Sequence, residues 1–146
     1  MERPHLSAMQ LYPNLTFDGQ CEAAFQLYAQ CLHGKVTFLM TYEDTPMDLQ
    51  APPDWAKKIS HATFAVDRFL LSGSDALPGR YQPPRGFTLQ LNLSDPAEAE
   101  RIFQALSQNG AITLPLQETF WALRFGALTD PFGIPWIVNC EKAPAP

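Results

Sequence analysis

LYPNLTFDGQCEAAFQLYAQCLHG, residues 11–34, and FTLQLNLSDPAEAERIFQALSQNG, residues 87–110, are equally long and pass through the same succession of patterns. Each opens by alternation, with Leu11, Pro13, Leu15 and Phe17 in the first and Phe87, Leu89, Leu91 and Leu93 in the second. That period of two is what a strand with one buried face imposes. Each then changes to helical spacing. Cys21, Ala24, Phe25, Tyr28, Cys31 and Leu32 recur at i, i+3, i+4 in the first, and Ala99, Ile102, Phe103 and Leu106 in the second. A helix with one apolar stripe needs a sheet to cover it.

The second helix has the clearer start: Ser94-Asp95-Pro96 supplies a cap and a first-turn proline, and Glu98 stands where a capping box places its acid. Asp18 is expected to cap the first helix. Gly34 and Gly110 are expected to close the two helices in the left-handed conformation.

Three strand-like runs follow each helix, residues 35–42, 59–66 and 68–72 in the first half and 112–118, 121–129 and 134–140 in the second. The pattern is therefore α+β, two tandem βαβββ modules at about residues 10–74 and 87–141. Between them lies the Pro/Gly-rich connector DALPGRYQPPRG, residues 75–86. Residues 43–58 form a second segment outside the repeat, an acidic loop with prolines and Trp55.

The 146 residues, 46% of them hydrophobic, suit one domain spanning 1–146. A chain of this size buries roughly 70% of its unfolded surface. The net charge of −5 with dispersed Lys and Arg argues against a nucleic-acid partner. No stretch approaches the roughly 20 apolar residues of a membrane span, and the first ten residues lack a signal-peptide core. Cys21, Cys31 and Cys140 are odd in number and lack CxxC spacing, which points to reduced core thiols and a cytoplasmic location.

SHATF, GSDALPG, GFTLQLNL, QETFWALRFG and DPFGIPWIVN resemble the PhnB-like branch, also called demethylubiquinone methyltransferase-like, of the vicinal oxygen chelate superfamily. That superfamily includes glyoxalase I, extradiol dioxygenases and bleomycin-resistance proteins, and the likeness runs over about residues 11–140. It implies curved, mostly antiparallel half-barrel sheets with helices on the outer face, and a homodimer that pairs modules across subunits. In metal-dependent members it also implies ligands from the first strand and the last part of each half.

At those positions this sequence offers Tyr12, Asn14 and Thr16, then Thr88, Gln90 and Asn92, and Ile137 where the acidic ligand stands in relatives. His61, in SHATF, is the single candidate metal ligand. A zinc or nickel site takes three or four such groups, so no cofactor is expected, with a weakly held divalent metal at His61 as the alternative. No Gly-rich turn leads from a first strand into a helix, as a Rossmann-type S-adenosylmethionine site requires.

Asn14, Thr16, His61, Gln90 and Asn92 all fall on strand faces opposite the apolar residues and so form the expected ligand-binding face. Glu118 lies beside Phe120 and Trp121, which are also candidate ligand contacts. It is read either as a general base or as an ion pair with Arg124. Trp55 is read as a lid over an apolar ligand or as a contact with a second subunit. Trp136 alternates with Ile134 and Val138 and belongs to the core, while Asp130-Pro131-Phe132-Gly133 is turn chemistry. His5 and His33 are given structural roles. Ser72 and Ser74 lack the GxSxG context of a hydrolase.

The leading expectation is a glyoxalase-like protein with a small-molecule cleft and an incomplete metal site. The alternatives are a divergent lyase, isomerase or dioxygenase using His61 and Glu118, and an interaction module with a vestigial cleft. Whether the chain is an enzyme stays open at this level.

Overall fold

Leu15 and Phe17 are 2% and 0% exposed while Asn14 and Thr16, which alternate with them, face outward, so the first alternating stretch is a one-sided strand. The computed structural model describes residues 8–142. It shows β1 (Asn14–Phe17), α1 (Cys21–Leu32), β2 (Lys35–Thr41), β3 (Ile59–Val66), β4 (Phe69–Asp75), β5 (Leu89–Leu93), α2 (Pro96–Ser107), β6 (Ala111–Gln117), β7 (Ala122–Thr129) and β8 (Pro135–Glu141).

The strands form two four-stranded open sheets of like topology. The first has the order β1-β4-β3-β2 and the second β5-β8-β7-β6. In each, the strand before the helix runs parallel to the last strand, Asn14 opposite Ser72 and Gln90 opposite Ile137, and the other pairs are antiparallel. The repeated α+β pattern read from the sequence is thus the observed architecture. Among the described residues no helix is long and apolar enough to cross a membrane.

Each helix buries the stripe its spacing specifies. Cys21, Ala24, Phe25, Tyr28 and Cys31 of α1 and Ala99, Ile102, Phe103 and Leu106 of α2 are all buried. The first stripe lies on β2, β3 and β4, the second on β5 to β8, and the helices also meet each other. Both halves therefore share one core, with the Tyr28 and Trp136 rings edge-on at 5.2 Å. Cys21, Cys31 and Cys140 are buried and free.

Several local expectations are corrected. The first strand begins at Asn14, not Leu11, which is 98% exposed. The fourth strand runs on to Asp75, because parallel β1 pairs Thr16 and Phe17 with Ser74 and Asp75. Asp18 does not cap α1. The Asp75 carboxylate does so, Oδ1 accepting from the Cys21 amide at 2.8 Å and Oδ2 from Ile59 at 2.8 Å. Asp95 caps α2 as expected, accepting from Ala97 at 3.1 Å. Glu98, however, turns to Arg101 instead of completing the box.

The left-handed residues at the helix ends are His33 (φ 57°) and Asn109 (φ 64°), not the glycines that follow them. Gly34 and Gly110 are needed for proximity. A Cβ on Gly110 would stand 2.3 Å from the Thr129 carbonyl oxygen, and one on Gly34 2.6 Å from that of Ala65. His5 lies outside the described residues. His33, at the end of α1, is also approached by Arg101, whose guanidinium donates to the Cys31 carbonyl at 2.9 Å.

Candidate functional site

Strand alternation leaves each sheet one face without a helix. On the first sheet that face carries Asn14, Thr16, His61 and Thr63, and the Ser72 hydroxyl donates to Asn14 Oδ1 at 2.6 Å. His61 is exposed, opposite Met40 and 5.6 Å from the Phe38 ring. On the second sheet the open face carries Gln90, Asn92, Phe125, Ala127, Ile137 and Asn139. Ile137 stands between Gln90 and Ala127, so an alkyl side chain occupies the place the sequence comparison gave to a carboxylate.

Three amides form a ladder there. Gln90 Nε2 donates to Asn92 Oδ1 at 2.9 Å, and Asn139 Nδ2 donates to the same oxygen at 3.1 Å. Asn139 is 4% exposed, and its Oδ1 has no partner among the described residues. Beside the ladder an aromatic ledge runs from Phe120 to Trp121 (4.7 Å) to Phe125 (5.1 Å), with Phe120 88% exposed.

The expected ion pair of Glu118 with Arg124 is not formed. Lys142 Nζ lies 3.5 Å from Glu118, whose side chain is 64% exposed, and Arg124 turns to Glu100 at 3.7 Å on α2. Alternation explains this, since Arg124 points to the helix side of β7. Trp55 is tied down: its indole N–H donates to the Ala76 carbonyl at 3.1 Å, its ring lies against Gly19, and Lys58 Nζ sits 5.6 Å from the ring centre.

Among the described residues no three His, Cys, Asp or Glu side chains gather as a metal-binding group. His61 among hydroxyls and amides does not fit a transition metal, which needs several soft or anionic donors. Nor do the strand-to-helix turns fit a Rossmann-type nucleoside site, because protein carboxylates already occupy both helix N-termini.

One concavity was not legible in the sequence. It is a cavity of about 710 Å³ between the sheets, where β1 stops short of Phe69–Leu71 on β4 and β5 presents its open edge. Its walls are mostly apolar, Phe64, Leu71, Leu91, Ile102 and Trp136 among them, and its polar lining comes from Gln10, Tyr12, Asp67, Arg68, Gln90 and Asn92. His61, Asn14, Thr16, Glu118, Trp55, Phe120 and Trp121 do not line it. Of the expected site residues, the structure brings Gln90 and Asn92 together and leaves His61 on the other sheet.

Two open βαβββ sheets around a shared helical core define the glyoxalase-like fold. A structure from Frankia sp. EAN1pec described as a glyoxylase/bleomycin resistance protein/dioxygenase domain has the same fold, with a TM-score of 0.61 at 15% identity, covering 92% of this chain and 98% of that one. The family described as 3-demethylubiquinone-9 3-methyltransferase matches residues 9–139, and the chain belongs to it. Protein YjdN of Escherichia coli (strain K12) is 35% identical over 144 residues, covering 92% of this chain and 97% of that protein. The crystal structure of PA1353 from Pseudomonas aeruginosa is 42% identical with a TM-score of 0.85, over 93% of this chain and all (100%) of that one.

Proposed function

We propose that the chain is a small-molecule-binding member of this family and that its ligand sits in the cavity between the two sheets. The cavity itself carries this reading. At about 710 Å³ it falls within the range of roughly 300–1,000 Å³ typical of ligand pockets, and an apolar floor with a few polar groups is the usual composition. Gln90 and Asn92 are the polar contacts we assign to the site. The other expected site residues are proposed to contribute only through the open sheet faces.

Those faces leave Phe38 (43%), beside His61, and Trp121 (45%), beside Phe125, exposed, which favours their cover by a second copy of the chain. The proposed assembly is a homodimer, and three free buried thiols favour the cytoplasm. No metal is assigned a part.

The test is a thermal-shift screen of small apolar compounds with the wild type and Leu70→Trp. Leu70 lines the cavity but is only half buried. A ligand at a hundred times its dissociation constant stabilises by about 2.7 kcal/mol. The expected result is a ligand-induced shift in the wild type that Leu70→Trp removes while keeping its own melting temperature. A ligand shift retained in Leu70→Trp refutes the assignment.

A further inference from the structure

Leu89, Gln90, Leu91, Asn92 and Leu93, consecutive residues of β5, all line the cavity. Successive side chains of a strand point to opposite faces, so a space that meets all of them runs along the strand's edge and not against one face. Across from β5 the same holds of Phe69, Leu70 and Leu71 in β4, beyond the reach of β1, and residues 10–13 complete that wall. The cavity is therefore a slot between two sheet edges. Leu32, Phe64, Ile102 and Trp136 close it on the helix side, and Gln90 and Asn92 stand on its open side. The remaining polar lining, Gln10, Tyr12, Asp67 and Arg68, belongs to the far wall.

The edge of β5 is unpaired: among the described residues its backbone is bonded to β8 alone. The repeat identifies the groups left over. In the first sheet the carbonyls of Pro13 and Phe17 accept from the amides of Ser72 (3.0 Å) and Ala76 (2.8 Å). Alternate residues of a strand bond to opposite sides, so Asn14 and Thr16 turn their backbone groups away from β4. Gln90 lies opposite Ile137 as Asn14 lies opposite Ser72, so Gln90 and Asn92 present their N–H and C=O groups to the slot.

Free edges are normally blunted by bulges, prolines or charges. The edge strands β2 and β6 both carry register shifts, with Lys35 opening β2 and Pro115 inside β6. β1 does not line the slot. β5 alone of the edges is regular, uncharged, free of proline and open to an apolar cavity.

We infer that the slot takes a short extended peptide, added to β5 as a further strand of the second sheet, with apolar residues at alternate positions. This rests on the assignment of the cavity as the ligand site. The peptide main chain completes the groups of Gln90 and Asn92, its residues beside Leu89, Leu91 and Leu93 turn to the helix side, and those between turn to the open side. The length of β5 sets that of the peptide at about five residues, about 17 Å. A cavity of about 710 Å³ is of small-ligand size, whereas a folded partner needs an interface of about 1,200 Å² or more, so the occupant is a free oligopeptide. Asp67 and Arg68, neighbours of opposite sign, give the lining no net charge, so the peptide is uncharged.

The probe is the capped pentapeptide acetyl-Val-Ser-Val-Ser-Val-amide, titrated calorimetrically into the wild type and Leu70→Trp. Two N-methylated forms accompany it, one methylated at both serine nitrogens and the other at those of the second and third valines. The wild type is expected to bind the parent peptide and Leu70→Trp to lose it. Only one alternate set of peptide N–H groups faces β5, so one methylated form is expected to bind roughly tenfold or more weaker and the other within about threefold of the parent. Hydrogen exchange at the Gln90 and Asn92 amides is expected to slow by about tenfold or more on binding.

Equal binding of the two methylated forms, or unchanged exchange at Gln90 and Asn92, overturns the peptide inference and leaves the cavity assignment standing. So does a wild type that responds to apolar compounds in the thermal-shift screen but does not bind the peptide. Parent peptide bound as tightly by Leu70→Trp as by the wild type overturns it too. If neither the compounds nor the peptide bind, the cavity assignment fails and this inference with it.

Discussion

The contact between Tyr28 on α1 and Asp130 before β8 joins the two halves, and its removal has a calculable cost. Asp130 is 3% exposed and receives four donors. Oδ2 accepts from the Tyr28 hydroxyl at 2.5 Å and the Trp136 indole at 2.9 Å, and Oδ1 from the amides of Phe132 (2.8 Å) and Ile134 (3.0 Å). Tyr28→Phe deletes one bond to a charged acceptor and leaves three, a loss of about 1.5–3 kcal/mol. Asp130→Asn is worse. Its oxygen can still serve the two backbone amides, but its NH2 faces Trp136, and only the Tyr28 hydroxyl can rotate to accept from it. A buried indole N–H without an acceptor costs about 1–3 kcal/mol, and loss of charge from the remaining bonds brings the total to about 3–5 kcal/mol.

Urea denaturation followed by circular dichroism measures both variants and the double variant. The double variant should be less destabilised than the sum of the two by about 1.5 kcal/mol or more, since both remove the same bond. A Tyr28→Phe protein within about 0.5 kcal/mol of wild type would refute the claim that this contact is an energetic link between the halves.

Gly110→Ala should destabilise by about 3 kcal/mol or more, because its Cβ meets backbone at 2.3 Å, whereas Gly79→Ala, with nothing within 4 Å but φ at +81°, should cost about 1 kcal/mol; calorimetric melting ranks them. Burial pushes the Cys21, Cys31 and Cys140 thiols above their ordinary value of 9.0, so the folded state holds these protons more tightly than the unfolded chain. That stability is complete below the unfolded thiol value and is lost as pH rises through the folded ones, so the urea midpoint should decline above about pH 9; a flat profile up to about pH 10.5 contradicts it. Trp55→Phe should cost about 1 kcal/mol through the lost bond to Ala76 and leave ligand affinity unchanged, in contrast to a lid, whose loss would weaken binding.

Legibility in the sequence followed the range of the interaction. The helices were readable because Cys21 to Cys31 and Ala99 to Leu106 repeat locally, and alternation placed Gln90 and Asn92 on the open face. What depended on distant pairing was hidden. The acid that caps α1 comes from β4, Glu118 finds Lys142 beyond the last strand, and Gly34 and Gly110 are set by the approach of β3 and β7 to the helix ends. The cavity gathers Gln10–Pro13, the Phe69–Leu71 end of β4 and the edge strand β5, segments far apart in the sequence that no periodicity links.

The two helices differ in when they can be completed. α2 carries its own cap in Asp95, immediately before its first residue, so its start is stabilised as soon as it has been synthesised. α1 depends on Asp75, 54 residues further along, so on a growing chain its first turn lacks that acceptor until β4 has been made and paired with β1. When the whole chain refolds, the local cap of α2 closes no long loop whereas that of α1 does, so the second helix is expected to gain protection before the first. Pulse-labelled hydrogen exchange during refolding reads that order directly, and earlier protection of the Cys21 amide than of the Ala97 amide would show the opposite.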